Sequence, residues 1–110
     1  MLIATRMLKL RTDAGLRDVP IRLHAPEERA RSWICRFDIG WPDEVLERWG
    51  EGEDAVQALV LALQMISAHL YTSDEHKAGD LFWEEPGTGY GFPVTNSLRD
   101  LLIGDDRKFL

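Results

Sequence analysis

The chain has 110 residues, of which 45% are hydrophobic, 29% charged and 9% aromatic, with a formal net charge of −6. That is one domain's worth of sequence with enough apolar content for a core, which excludes a disordered tail and a collagen-like or low-complexity chain. The single cysteine, Cys35, excludes an internal disulfide framework and any multi-cysteine zinc site.

In chain order, residues 2–10 form the first predicted strand, although Ile3, Leu8 and Leu10 do not keep one face. Thr12-Asp13-Ala14-Gly15 then supplies turn chemistry. Residues 18–25 alternate cleanly, with Val19, Ile21, Leu23 and Ala25 on one side and Asp18, Pro20, Arg22 and His24 on the other. This is the pattern of a half-buried strand, with Pro20 at its start or on a sheet edge. After a turn at Pro26-Glu27-Glu28, residues 32–39 repeat the alternation, with Trp33, Cys35, Phe37 and Ile39 inward and Ile34 as the exception. Residues 41–50 admit two readings. Pro42-Asp43-Glu44 can start a helix that stops at Gly50, or form a turn into a fourth strand through Val45, Glu47 and Trp49. The strand is preferred.

The strongest element is a helix over about 54–71, with Asp54 as N-cap and Gln57 as its capping-box partner. Its apolar residues cover most of the circumference, leaving Gln57, Gln64 and Ser67 as a narrow polar stripe. Such a helix is buried on more than one side, so the C-terminal segment or a second copy must cover what the sheet does not. Trp33, Cys35, Phe37, Leu59, Leu63 and Ile66 are expected to be buried together. Residues 72–80 form a polar loop, 81–84 a short strand and 85–89 a turn. A short helix from Asn96 or Ser97 is expected to stop at Gly104. No internal repeat or long linker interrupts residues 1–110, so the chain reads as a single α+β domain. The expected architecture is an antiparallel sheet of three or four strands packed on one long buried helix, with a short C-terminal helix.

Charge is unevenly placed. Residues 1–37 hold eight Lys/Arg against four Asp/Glu, whereas residues 38–100 hold three against thirteen. The acids are densest at Asp38, Asp43, Glu44, Glu47, Glu51, Glu53 and Asp54, a field that repels nucleic acid and steers basic partners. The apolar run Ala58–Leu63 is too short for a membrane span, and the first ten residues make a poor secretory signal because Arg6 and Lys9 interrupt them. A soluble, cytoplasmic protein without a membrane or nucleic-acid partner is the expectation.

Catalytic and metal-binding patterns are weak. His69, Asp74 and His76 match no tight ligand spacing, and His24 falls on the polar face of its strand. Cys35 lies inward, with no histidine placed to activate it. Gly87-Thr88-Gly89-Tyr90-Gly91 resembles a phosphate loop only by its glycines and reads as a mobile turn. Glu84 and Glu85, taken as strand neighbours, point to opposite faces. No catalytic residue, cofactor site or metal site is therefore assigned. Trp41, Trp49 and Trp83 lie beside Asp43, Glu47, Glu84 and Glu85 and are candidate aromatic anchors. The candidate partner-binding set is Trp41, Asp43, Glu44, Glu47, Trp49, Glu51 and Glu53.

Trp33-Ile34-Cys35-Arg36-Phe37, the helix entry Gly52-Glu53-Asp54-Ala55-Val56-Gln57-Ala58-Leu59, Trp83 and Gly91-Phe92-Pro93 resemble a family of short bacterial proteins classed as a domain of unknown function. The resemblance covers residues 30–93 and implies no catalytic residue. By analogy with small acidic proteins that accompany secreted toxins, the expected function is non-enzymatic: an immunity protein that occludes a basic toxin. A small enzyme with an unrecognised site and a self-associating module, for example a homodimer through the helix, are the alternatives. A convergent polar site would favour the first, and a dimer with no other partner the second.

Overall fold

Four long strands carry the alternation of the sequence in the computed structural model, which describes residues 1–110. They are β1 (Leu2–Thr12), β2 (Gly15–His24), β4 (Trp33–Gly40) and β5 (Val45–Gly52), and two short pairings, β3 (Glu27–Glu28) and β6 (Leu81–Phe82), extend the sheet to six strands. All pairings are antiparallel. β5 runs along one edge of β4, and β2 followed by β3 runs along the other, so β3 continues the line of β2. β1 lies beyond β2, and β6 pairs with β1.

Local chemistry explains the connections. In the β1–β2 hairpin, Thr12 Oγ1 accepts from the Ala14 N–H at 3.2 Å and donates to the Gly15 carbonyl at 2.7 Å. Pro20 lies within β2 rather than at its start. It stands one residue before pairing to β4 begins at Ile21, where its missing N–H interrupts no ladder bond on that side. Residues 45–52 are strand, as preferred.

One helix, α1 (Ala55–Tyr71), crosses the inner face of the sheet. Asp54 Oδ1 accepts from the Gln57 N–H at 2.8 Å, and Gln57 Oε1 accepts from the Glu53 N–H at 2.6 Å, so the expected cap is made. Leu8, Leu10, Val19, Ile21, Cys35, Phe37 and Ile39 of the sheet meet Ala58, Ala62, Ile66 and Leu70 of the helix. The rest of the helix is covered largely by the chain's own C-terminal segment, because Tyr90, Phe92, Val94 and Leu102 share the same core. Val56 and Val60 stay exposed. No helix is long and apolar enough to cross a membrane.

Three expectations need correction. Leu59, Leu63 and Trp33 are partly rather than fully buried, because Ala58 and Ala62 form the line of closest contact with the sheet. Residues 72–80 contain a short helix, α2 (Asp74–Lys77), since Ser73 caps it by accepting from the His76 N–H at 3.1 Å. Gly104 does not end the last helix. A 3₁₀ turn spans Asn96–Leu101, Leu102 is buried, and Gly104 opens α3 (Gly104–Phe109), whose start is fixed by the Asp105 N–H on the Thr88 carbonyl at 2.8 Å.

The burial order has a measurable consequence. Ile66→Ala is expected to cost about 3 kcal/mol in urea denaturation and Leu63→Ala about half as much, because only Ile66 is enclosed on all sides. Equal losses would contradict this packing.

Candidate functional site

The helix covers one face of the sheet, and the other face of β4 and β5 is left uncovered. Along β5 the even positions face the core side, where Gly50 and Gly52 are buried against α1. The odd positions Glu47, Trp49 and Glu51 face outward, since side chains alternate along a strand. Trp49 is 54% exposed in the middle of its strand. Arg36 of β4 is directly opposite it, and Asp38 and Ile34 oppose Glu47 and Glu51. Trp49 borders two shallow clefts of about 390 and 340 Å³, one lined by Arg29, Ser32 and Glu51 and the other by His24, Asp38 and Glu47. The surface around the indole is therefore of mixed charge.

Asp38 organises the inner rim of this surface. Its Oδ1 accepts from Arg22 Nη1 and its Oδ2 lies against His24 Nε2, both at 3.2 Å. His24 is thus half-buried and partnered rather than simply exposed. On the outer rim, Ser32 Oγ donates to Glu51 Oε2 at 2.9 Å.

The candidate partner-binding residues are divided between places. Glu47, Trp49 and Glu51 share the outer face of β5. Trp41, Asp43 and Glu44 instead border a cleft of about 730 Å³ beside the β1–β2 hairpin, together with Arg17, His69 and Glu75. Trp41 and Trp83 pack partly against the core, so Trp49 is the best exposed of the three candidate anchors. Glu53 stands at the entry to α1, outside both groups.

A second constellation was not legible in the sequence. Asp106 of α3 is 2% exposed. Its Oδ2 accepts from the Tyr71 hydroxyl at 2.5 Å and the Tyr90 N–H at 2.7 Å, and its Oδ1 accepts from the Gly91 N–H at 2.7 Å. The Tyr90 hydroxyl lies 2.5 Å from His76 Nδ1, and the rings of Tyr71, Tyr90 and His76 pack edge to face. Arg6 Nη1 donates to the carbonyls of Tyr90 and Gly91, both at 3.1 Å, and its guanidinium lies over the Trp83 ring at 3.9 Å. Burial, reinforced by Asp106, pushes the Tyr71 and Tyr90 hydroxyls well above the usual phenol value. Burial holds the His76 imidazole below its ordinary value.

The residues matched by a family model extend beyond the resemblance read in the sequence: residues 4–94 match a domain of unknown function, DUF6968. The chain belongs to this family. No curated protein and no solved structure matches it. The DUF6968 match takes in β1 and β2 as well as the β5 surface, together with Arg6, Tyr71, Tyr90 and Gly91. Asp106 lies outside it.

Within the DUF6968 domain, several residues weighed for chemistry have structural partners. Cys35 is fully buried, its Sγ donates to the His24 carbonyl at 3.2 Å, and burial pushes its thiol up, which keeps it protonated and a poor nucleophile. His69 and His76 have separate surroundings, His69 tilted against Phe37 and His76 against Tyr71 and Tyr90. The expected mobile turn at 87–91 is an anchored loop, because Asp106 and Arg6 hold its backbone from two sides. Glu84 and Glu85 are not consecutive strand residues. Trp83 bridges to Glu85, Glu84 takes φ +61, and both acids border one cleft.

Proposed function

We propose that this DUF6968 domain is a non-enzymatic binding module that seats a basic protein partner on the uncovered face of β4 and β5. In its most concrete form it is an immunity protein, acting in the cytoplasm, that occludes a toxin by stoichiometric binding. Trp49 carries the reading. A large indole exposed in mid-strand, with Glu47 and Glu51 two residues to either side, combines an aromatic anchor with acids that attract a basic surface. Arg36, opposite the indole, is already paired within the chain, its Nε 3.7 Å from Glu27 Oε2.

The test takes the product of the adjacent gene as candidate partner and measures binding kinetics at two salt concentrations. Reversing Glu47 and Glu51 to Lys is expected to lower the association rate about tenfold at low salt and to flatten its salt dependence. Trp49→Ala is expected to speed dissociation about thirtyfold, from the roughly 2 kcal/mol of a hot-spot aromatic, with little change in association. Unchanged kinetics in both variants would place the interface elsewhere. Absence of a complex would remove the reading for that partner.

Self-association is a second reading, favoured by the exposed apolar pair Val56 and Val60, 69% and 42% accessible on one flank of α1. Light scattering that gives one chain per particle at micromolar concentration would exclude it.

A further inference from the structure

The carboxylate of Asp106 is held as a bound ligand would be. Its three donors all come from outside its own helix, and they converge on two oxygens within 2.5–2.7 Å. Asp106 is the only buried residue of α3. A six-residue helix has little stability of its own, so α3 is seated by a carboxylate, by the Asp105 N–H on the Thr88 carbonyl and by the preceding Leu102, not by an apolar face.

The receiving surface is built for an anion. Successive amides of Tyr90 and Gly91 point the same way, an arrangement that makes anion-binding concavities. Arg6 fixes their direction. It holds the Tyr90 carbonyl at 3.1 Å, and because a trans peptide directs its C=O and N–H oppositely, the Gly91 N–H is turned toward Asp106. Gly89, at φ +91, leaves the approach open: a Cβ there would lie 2.5 Å from the Asp106 carboxyl carbon. A cleft of about 450 Å³, lined by Trp83, Glu84, Glu85 and Thr88 among others, reaches Asp106 from solvent. Tyr71, Tyr90 and Gly91, which hold the carboxylate, and Arg6, which orients the loop, lie inside the family-matched stretch, and Asp106 lies outside it.

We propose that the Tyr71 hydroxyl and the Tyr90 and Gly91 amides form a monocarboxylate receptor that Asp106 occupies in cis. Residues 104–109 then act as a strap whose release frees the receptor for a carboxylate supplied in trans. Two oxygens meet three donors with no further cation in contact, so a single carboxylate satisfies the site and a dianion does not.

Acetate is the probe, added at constant ionic strength to the full-length Asp106→Gly variant, which vacates the space of both the carboxylate and its methylene. The amide resonances of Tyr90 and Gly91 are expected to shift saturably, with a dissociation constant on the order of 10 mM for so small a ligand. The wild-type protein, its receptor filled, is expected to show no such shift. Pivalate, too bulky for the slot at Gly89, is expected to leave the variant unchanged. Adding Tyr71→Phe is expected to weaken acetate about tenfold, the effect of losing one charge-assisted hydrogen bond. If Asp106→Gly is unfolded in chloride, circular dichroism reads the same series, with acetate restoring the folded signal and pivalate not. The proposal is overturned if neither readout responds specifically to acetate. An equal response in the wild type also overturns it.

Discussion

Gly50→Val is expected to prevent stable folding at 37 °C, and Gly50→Ala to cost about 3 kcal/mol or more. A Cβ at this position would lie 2.5 Å from the Ala62 nitrogen and 2.8 Å from the Ala58 oxygen. Both are backbone atoms of α1, so no side chain can swing away. The helix must lift from β5 and draw Ala58, Ala62 and Ile66 out of the core. Overpacking of a rigid contact typically costs 1–3 kcal/mol, and a shifted helix adds lost burial to that. For a domain whose whole stability is of order 5–15 kcal/mol, the loss is large. Thermal denaturation checks it, and a melting temperature for Gly50→Ala within a degree or two of wild type would contradict the close approach.

The second large effect is alkaline unfolding. The chain has two tyrosines, Tyr71 and Tyr90, and both are buried. Burial and the neighbouring Asp106 raise both hydroxyls in the folded state, whereas an unfolded tyrosine ionises near pH 10. Above that pH the unfolded chain releases protons that the folded chain keeps, so stability falls as pH rises. The loss is about 1.4 kcal/mol per pH unit for each tyrosine, or roughly 3 kcal/mol per unit for the two. A pH titration followed at 295 nm is therefore expected to show almost no tyrosinate until a single cooperative rise that coincides with loss of the far-ultraviolet signal. Independent ionisation of either tyrosine near pH 10 in the folded protein would contradict the buried network. His76 acts in the opposite direction. Its folded-state value is lowered, so its contribution is complete above the unfolded value near 6.5 and is lost as pH falls below it.

The sheet and helix were legible because their determinants are local. Period-two alternation marks β2 and β4, and Asp54 with Gln57 marks the start of α1. The outward placement of Trp49 was not legible, because the core side of β5 carries Leu46, Arg48, Gly50 and Gly52, which mark no apolar face. The Asp106 cluster was hidden because its contacts are long-range: Tyr71 lies 35 residues and Tyr90 16 residues away in the chain. Nothing near Asp106 distinguishes it from Asp105. The one local trace was the alternation of glycine from Gly87 to Gly91, in which Gly89 and Gly91 are closely approached by Asp106, Arg6 and Trp83. The division of the acidic residues was hidden for a related reason. The turn at 41–44 carries Trp41, Asp43 and Glu44 to the hairpin cleft, while β5 turns Glu47, Trp49 and Glu51 to the open face.

The seat proposed for the partner is Trp49, on the open face of the sheet. Four tryptophans supply four indole N–H reporters, and a proton–nitrogen spectrum of the labelled protein, recorded with and without the adjacent gene's product, reads them together. The Trp49 indole and the amides of residues 47–51 and Arg36 are expected to shift or broaden most, while Trp83, beside Arg6 and the Asp106 cluster, is expected to stay in place. Perturbation confined to Trp83 and residues 104–110, with Trp49 unchanged, would contradict it.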